Sequence, residues 1–298
     1  MSIPKVLCLG EIVWDILPDG RFLGGAPLNV AVHLHRLGVP VNVASAVGDD
    51  PLGKEVLAQL GNIGLPLDGI EVNNYPTGVV QVDVDAQGFP DYEIRYPAAW
   101  DAMECSPAQQ GKWSKADYIV IGSLLFRSEV SREHVLHGLK VNRSTSSRLI
   151  LDVNLRKEGY TPERVCMLME MADIVKLNEE ELALVWQWAF GVEEFCSDVE
   201  QCLSSIAAHF GLECVLLTLG AEGCCLWNKR EGLIRQEAFP VEVVETVGAG
   251  DAFLAGVING WVKGMESQEL LRFGARLGAF IAGKKSATPE LDGFDLNL

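Results

Sequence analysis

Short apolar runs alternate with longer amphipathic segments along most of the chain. The short runs have the length of strands and are apolar at nearly every position, as expected of strands that are buried on both faces of a sheet. Strands that alternate with helices in this way predict an α/β fold, with a mostly parallel central sheet flanked by helices. The predicted strands cover residues 6–9, 41–47, 118–122, 149–153, 174–177, 215–219 and 224–227. The predicted helices cover residues 27–37, 51–60, 132–142, 161–171, 179–188, 198–210, 249–262 and 268–282.

Residues 72–100 break this pattern. Apolar and polar side chains alternate over 78–85, and they alternate again over 91–96, after the turn-forming Gly88-Phe89-Pro90. Alternation with a period of two is typical of strands with one solvent-facing side, so we expect a β-hairpin that forms a small lid. Because no linker divides the chain, residues 1–298 are predicted to form a single domain that carries this lid.

The charge of the chain narrows the choice of partners. Its 298 residues include 24 Lys and Arg but 41 Asp and Glu, which gives a formal net charge of −17. A surface this acidic repels nucleic acid and anionic membrane, so we expect neither as a main partner. A phosphate ligand is still permitted, provided that backbone amides, a metal ion and a few basic side chains hold it locally.

The N-terminal segment and the cysteines favour a cytoplasmic location. The segment lacks the basic region, the long apolar stretch and the cleavage site of a signal peptide. No window of the chain reaches the roughly 18 uncharged apolar residues of a membrane span. The eight cysteines are scattered and form no C-x-x-C pair, so we expect buried free thiols rather than disulfides or a zinc site.

The run Thr246-Val-Gly-Ala-Gly-Asp251, before a predicted helix, carries the strongest chemical signal. Gly248 and Gly250 allow the backbone to approach a ligand, and the following helix directs its positive end to the same point, which suits a phosphoryl group. Asp251 would repel a phosphate that is merely bound, but it has a use if it takes a proton from an attacking hydroxyl. The alternative is a glycine-rich loop with Asp251 as a helix cap.

A second motif, Gly24-Gly25-Ala-Pro-Leu-Asn29, places a polar Asn on an otherwise apolar helix. The amide of Asn29 has two donors and an acceptor with which to bind sugar hydroxyls. Asp15 follows the first strand, and ligands of parallel sheets bind at the carboxyl ends of strands. A structural Asn in a strand-to-helix turn, and an Asp that caps a helix or lies in a surface turn, are the alternatives.

Three further groups of polar residues follow predicted strands. Asn178 and Glu181 share a helix face and suit a hydrated magnesium ion, although an N-cap with an acidic first turn explains them equally. Asn154 and Arg156 follow the strand over 149–153. The guanidinium of Arg156 is well suited to donate hydrogen bonds to a phosphate group. The third group is a turn that either contacts nucleotide phosphate or is a simple hairpin; it comprises Thr218, Gly220 and Gly223.

Together these motifs resemble the ribokinase-like (PfkB) sugar-kinase family from Gly10 to about Pro289. The resemblance implies that the chain is an ATP-dependent carbohydrate kinase with a ribokinase-like α/β fold and a small β lid. Asp251 would be the base, and Arg156 would stabilise charge beside the anion hole. The implied anion hole consists of the amides of Gly248, Ala249 and Gly250. The implied sugar-binding residues are Asp15, Gly25, Asn29 and Asn154.

The same resemblance implies the nucleotide and ion sites. Thr218, Gly220 and Gly223 would line the ATP site together with Asn178, and Asn178 and Glu181 would hold Mg²⁺ through water. Many relatives also bind a monovalent cation, usually K⁺. Glu245 stands where the family usually has Asp near that cation, so it is a candidate ligand whose longer side chain puts the potassium requirement in doubt.

Two features resemble the fructokinase members of the family. Ala26-Pro27 replaces the Lys-Gly of ribokinases, and the run from Asp152 to Arg156 resembles the Asp-Pro-Asn-Leu-Arg of fructokinases, with Val153 in place of Pro. Fructose is therefore the expected substrate. The alternatives are a 2-keto-3-deoxygluconate kinase, with Arg95 and Arg156 as carboxylate anchors, a ribokinase or nucleoside kinase, and a non-catalytic sugar or nucleotide sensor. The expected partners are the sugar and ATP, and the lid edge offers a surface for homodimerisation.

Overall fold

A computed structural model of the chain describes residues 3–17, 20–84, 90–157, 159–192 and 198–296. Most of its strands belong to one nine-stranded sheet, in the order β13-β12-β11-β10-β9-β8-β1-β4-β5. The strands of this sheet are β1 (Val6–Leu9), β4 (Val41–Gly48), β5 (Ile70–Asn73), β8 (Tyr118–Gly122), β9 (Arg148–Asp152), β10 (Ile174–Asn178), β11 (Cys214–Thr218), β12 (Cys224–Asn228) and β13 (Gly232–Gln236).

The sheet is parallel from β5 to β11, and only β12 and β13 run antiparallel to their neighbours. The strand order turns at β1, since β4 and β8 pair with its two edges. Ligands of open parallel sheets bind at such a switch point, outside the carboxyl ends of the strands. The expectation of a mostly parallel sheet is confirmed.

Helices cover both faces of this sheet. They are α1 (Ala26–Arg36), α2 (Pro51–Ile63), α3 (Pro107–Trp113), α4 (Glu129–Asn142), α5 (Pro162–Met171), α6 (Glu179–Phe190), α7 (Val199–Phe210), α8 (Ala249–Lys263) and α9 (Ser267–Ala282). On β1, Val6 and Cys8 belong to the core that contains α1, α8 and α9, whereas Leu7 and Leu9 belong to the core that contains α4 to α7. Two apolar faces explain why the strands are apolar at every position.

A second, four-stranded sheet has the order β3-β2-β6-β7, with β2 (Val13–Leu17), β3 (Gly20–Gly24), β6 (Gly78–Val84) and β7 (Pro90–Ile94). Strands β6 and β7 form the predicted antiparallel hairpin, and its turn lies outside the described residues. The prediction that the lid comes mainly from 72–100 was incomplete, because β2 and β3 supply half of the strands. Asp15 accordingly lies within β2 and not in a turn after the first strand. The dimer through the lid stays a prediction.

The described residues contain neither a disulfide bond nor a helix that could span a membrane. Seven cysteines in these ranges are free thiols, six of them buried. Nowhere in the described ranges does a helix combine the length and the apolar character that crossing a bilayer requires.

Helices α8 and α9 pack closely because glycines face each other. A Cβ at Gly256 of α8 would lie 2.7 Å from the Cα of Gly274 on α9, a distance that real side chains do not tolerate. The two glycines therefore set the distance between α8 and α9. Helix α8 begins at the glycine-rich motif, so this distance also affects the position of the motif.

We predict that Gly256→Val destabilises the protein, because the added methyl groups overlap the backbone of α9. The expected loss is about 1–3 kcal/mol or more in the free energy of unfolding, measured by urea denaturation. Gly111→Ala is the matched control, since a Cβ at that helical position meets nothing within 4 Å. The control is expected to be neutral or stabilising by about 0.4–1 kcal/mol. Equal effects of the two substitutions would contradict the prediction.

Candidate functional site

The N-terminus of α8 is the centre of the candidate site. Gly248 has a left-handed backbone (φ 79°) and precedes the helix; a Cβ there would lie 2.6 Å from Ala287. The amide of Ala249 donates to the carbonyl of Thr246 at 3.2 Å. The amides of Gly250 and Asp251 find no acceptor in the described part of the chain, as is usual in the first turn of a helix. These two amides and the positive helix end are suited to bind an anion.

Asp251 lies in this first turn and is 8% exposed. Its Oδ2 accepts a hydrogen bond of 2.8 Å from the side-chain amide of Asn29 on α1. Burial raises the pKa of Asp251 to about 6, with a further increase from the charge of Asp152, while Lys176, Asn29 and Arg156 lower it. Asp251 is therefore a carboxylate at neutral pH that accepts a proton more readily than an exposed Asp would.

Two more carboxyl groups, of Glu11 and Asp15, lie on the α1 side of Asp251. Burial raises the pKa of Asp15 to about 6; Arg156 lowers this pKa, whereas Glu245 and Asp251 raise it. Asp15 packs over Gly24, where a Cβ would lie 2.4 Å from its Oδ2. The structure thus brings Asp15 and Asn29 close to Asp251.

Glu11, which the sequence analysis did not single out, fixes the start of α1. Its Oε1 accepts a hydrogen bond of 3.0 Å from the amide of Ala26, and a Cβ at Gly25 would lie 2.3 Å from its carbonyl oxygen. Gly25 (φ 117°) therefore has a packing role as the helix cap in addition to any contact with a ligand. Burial raises the pKa of Glu11 to about 7. Nothing in the spacing of the motif distinguishes Glu11 from a surface residue.

The end of α1 is tied to the loop after α9. The imidazole of His33 is fully buried, and its Nε2 lies 2.9 Å from the carbonyl oxygen of Ala287. Burial lowers the pKa of His33 to about 4, so the ring is neutral and its Nε2–H donates to that carbonyl. Because Ala287 contacts Gly248, this bond helps to position the anion-binding turn.

Asp152, the last residue of β9, and Lys176, the middle residue of β10, form a buried ion pair. The ammonium lies 3.0 Å from each carboxylate oxygen, and the two residues are register partners in adjacent parallel strands. Lys176 was not predicted from the sequence as a site residue. A Lys inside an apolar strand, beside an Asp in the next strand, was the signal that could have revealed it.

Asn154 and Arg156 lie on the loop after β9. Asn154 has a left-handed backbone (φ 37°), which Asn tolerates better than most residues. The guanidinium of Arg156 is solvent-exposed, and its charge favours the ionised forms of Glu11, Asp15 and Asp251. Arg156 is thus a cation near three carboxyl groups and remains accessible to an anionic ligand.

Asn178 and Glu181 form a capping box at the start of α6. The Asn178 side chain accepts from the amide of Glu181 at 2.8 Å, and Glu181 Oε2 accepts from the amide of Asn178 at 2.9 Å. Glu181 Oε1 also accepts from the amide of Leu155 at 2.9 Å. Both oxygens of this buried carboxylate are therefore in use, which joins the loop after β9 to the end of β10.

This arrangement limits the kind of metal site that is available. Among the described residues, no three His, Cys, Asp or Glu side chains form a group that could hold a metal ion. Each oxygen of Glu181 keeps one lone pair beyond its backbone bond. Glu181 and Asn178 therefore fit a hydrated Mg²⁺, held through water, better than an ion in direct contact.

Thr218, Gly220 and Gly223 lie at the far end of the same sheet edge. Thr218 pairs in register with Asn178, and its hydroxyl donates to the carbonyl of Leu177 at 3.4 Å. Gly220 (φ 55°) faces open space, whereas a Cβ at Gly223 (φ 97°) would lie 2.1 Å from the carbonyl oxygen of Gln236. Gly223 is thus required by the hairpin itself, and these residues group with Asn178 and not with Asp15.

Glu245 is half-buried, and its amide donates to the carbonyl of Ala282 at 3.2 Å. Its charge raises the pKa of Asp15. The residue therefore borders the candidate site close to the loop that ends at Ala287, and its role as a cation ligand stays a prediction.

Comparisons with known proteins agree with this geometry. The model of the pfkB family of carbohydrate kinases matches residues 20–292. Fructokinase of Escherichia coli is 30% identical to the chain, with 96% of each chain covered. PH1459 of Pyrococcus horikoshii, an uncharacterized sugar kinase, is 27% identical in its crystal structure, with a TM-score of 0.81 and 98% of each chain covered. Fructokinase of Xylella fastidiosa with bound ATP has a TM-score of 0.83 at 22% identity, covers 96% of this chain and 94% of its own, and shows the fold alone.

We predict that Asp251→Asn increases the stability of the folded protein above pH 6. The pKa of Asp251 rises from 3.8 to about 6 on folding. Between these two values the folded state binds more protons than the unfolded state, so the stability of the wild-type protein falls as the pH rises through this window. The variant avoids this cost, which is at most about 3 kcal/mol, and a flip of the Asn29 amide restores the hydrogen bond.

The test is urea denaturation of both proteins at about pH 4 and about pH 8. The two stabilities should be similar at the lower pH, and the variant should be the more stable at the higher pH. If the variant is less stable than the wild-type protein by the same amount at both pH values, folding does not raise the pKa of Asp251.

Proposed function

Because the chain belongs to the pfkB family of carbohydrate kinases, we propose that its substrate is fructose and that it transfers the γ-phosphoryl group of ATP to a primary hydroxyl of this sugar. Kinase chemistry is supported above all by the buried Asp251, which is held by Asn29 at an anion-binding helix end. Fructose is supported by Ala26-Pro27 and by several relatives that are named fructokinase and are 28–30% identical to the chain.

The sugar would bind between the small sheet and the first turn of α8. The carboxylate of Asp15 can accept hydrogen bonds from two neighbouring hydroxyls. Asn29 already donates to Asp251, and its buried Oδ1 has no hydrogen-bond partner among the described residues, so it can accept from a sugar hydroxyl. Gly25 allows the backbone to approach the ligand, and Asn154 faces the sugar from the loop after β9.

Asp251 would act as the general base. Its pKa of about 6 leaves it ionised at neutral pH but makes it a better proton acceptor than an exposed Asp. The hydrogen bond from Asn29 fixes the carboxylate, so the hydroxyl that it deprotonates is also the one directed at the phosphoryl group.

The transferred phosphoryl group would lie at the N-terminus of α8. The amides of Gly248, Ala249 and Gly250 would form the anion hole; the Gly250 amide has no acceptor in the described part of the chain, whereas the Ala249 amide donates to Thr246. The guanidinium of Arg156 would add positive charge from the opposite side. Charge stabilisation and positioning of this kind provide most of the acceleration in phosphoryl transfer.

The nucleotide would extend along the sheet edge toward β11, past Asn178, Thr218 and Gly220 to the hairpin at Gly223. Asn178 and Glu181 would hold a hydrated Mg²⁺, which neutralises charge on the triphosphate when it is bound. Glu245, which stands where the family usually has Asp, would serve a monovalent cation such as K⁺.

The whole chain would work as one kinase unit, in which the four-stranded sheet is the lid over the sugar. A 2-keto-3-deoxygluconate kinase is the second candidate. It is favoured by the exposed guanidinium of Arg156 near Asp15, which provides an anchor for a substrate carboxylate.

We predict that Asp251→Asn lowers turnover by about 10²–10⁴-fold while sugar binding survives, because only proton removal is lost. In the wild-type protein, kcat should fall as the pH decreases through about 6, since a protonated Asp251 accepts no proton. Coupled ADP assays and calorimetry would measure the two effects. Asp68→Asn, at a surface pair with Lys112, is the control. Near-normal turnover of Asp251→Asn would show that another group is the base.

The substrate is tested by ADP release with fructose, 2-keto-3-deoxygluconate, ribose and adenosine. We expect the highest kcat/KM for fructose. Preference for the keto acid, with a loss of binding in Arg156→Met, would establish the second candidate instead. Absence of turnover with all four compounds, despite ATP binding, would favour a sugar or nucleotide sensor.

A further inference from the structure

Lys176 is a charged residue in an otherwise apolar strand. It lies in β10 and is 6% exposed, and its neighbours in the strand are Val175 and Leu177, both fully buried. Its ammonium contacts both carboxylate oxygens of Asp152, itself 3% exposed, at 3.0 Å. A pair that is buried this deeply is costly to desolvate, and apolar residues of the same volume often serve stability as well or better. Stability alone therefore gives little reason for the pair.

The location of the pair supplies a reason. A Cβ placed on Gly250 would lie 3.1 Å from the Nζ of Lys176. The ammonium thus packs directly against the first turn of α8, at the glycine whose amide points to the candidate anion site. An ammonium has three N–H donors; in the part of the chain that the structure describes, its hydrogen-bond acceptors are the two oxygens of Asp152.

The surrounding charges are mostly negative. Asp152 lies on β9, Glu181 on α6 and Asp251 on α8, and all three act on Lys176. Although burial lowers the pKa of Lys176, these carboxylates raise it above its ordinary value, so the side chain stays charged. Arg156, on the loop after β9, is the other cation that acts on Asp251. Without Lys176, a phosphoryl group at α8 would face three carboxylates opposed only by Arg156 and the helix end.

We propose that Lys176, held by Asp152, is a positioning residue for phosphoryl transfer whose ammonium supplies positive potential beneath the Gly250 amide. The inference rests on the proposed phosphoryl transfer but not on the identity of the sugar. Asp152 fixes the ammonium against the helix, and the fixed charge costs no reorganisation when negative charge develops on the transferred group. The amide of Gly250 makes the contact, and Lys176 acts through it.

The test separates this role from a structural one by removing both charges together. Lys176→Met alone leaves Asp152 buried and unpaired, so it is expected to lose stability as well as activity. The double variant Lys176→Met/Asp152→Asn carries no unpaired charge and should fold. The charges of Asp152 and Lys176 shift the pKa of Asp251 in opposite directions, so these two effects partly cancel when both charges are removed.

We expect the double variant to retain wild-type thermal stability but to lose about tenfold or more in kcat. One oxyanion donor is worth about 10²–10³-fold, and the partial cancellation by Asp152 reduces that figure. Its affinity for AMP-PNP should fall by about threefold or more, while its affinity for ADP, which lacks the γ-phosphoryl group, changes little. The matched control is Arg143→Met/Asp173→Asn, which removes a partly buried pair at the opposite edge of the sheet and should keep wild-type kcat.

Wild-type kcat and wild-type AMP-PNP affinity in the double variant would overturn the proposal. If the double variant does not fold, Lys176→Arg and Lys176→Gln are compared instead; both retain a donor to Asp152, but only Arg retains the charge, so equal kcat values would overturn it too. If the wild-type protein phosphorylates no sugar, the proposed function fails, but the ratio of AMP-PNP to ADP affinity still tests Lys176 independently.

Discussion

The candidate site depends on how five carboxyl groups are kept close to the anion-binding end of α8. Each of them interacts with at least one of the others, and they belong to Glu11, Asp15, Asp152, Glu181 and Asp251. Such a cluster would repel the nucleotide if it were left alone. Each carboxyl group is therefore paired, protonatable or held by backbone amides, and the positive end of α8 faces the ligand. Because of this pairing and of the positive helix end, the carboxylates are able to accept hydrogen bonds from hydroxyl groups, and one of them is able to accept a proton, as proposed for Asp251.

The site unites segments that lie far apart in the sequence. Asn29 and Asp251 are separated by 222 residues and are joined by one hydrogen bond. Helix α1 is held at its start by Glu11 and, through His33, at the loop that contacts Gly248. Two anchors of this kind leave the helix little freedom to move, so the geometry of the carboxylate exists before a ligand arrives.

The sequence predicted the central sheet well, because a strand that is buried on both faces is apolar throughout and has the length of a strand. A common site for Asp15, Asn29 and Asp251 was implied by the resemblance to sugar kinases and not by the spacing of the motifs alone. Strands β2, β3, β5 and β13 were not predicted, because these short segments are only partly buried and mix polar with apolar residues. Glu11 and Lys176 were missed because their importance lies in contacts with residues distant in sequence, which periodicity does not report.

The two hydrogen bonds that the Glu181 carboxylate accepts couple the opening of the two segments that it joins. Its carboxylate links the amide of Leu155 to that of Asn178, so the loop that carries Arg156 and the start of α6 open only together. Local unfolding would then involve both segments as one cooperative unit. On the sugar side, by contrast, the four-stranded sheet has its own small core around Val13 and Val80. Trp14 and Val79 of the same sheet also belong to the main core, so packing attaches the small sheet to the body of the protein, whereas hydrogen bonds attach the loop after β9 to α6.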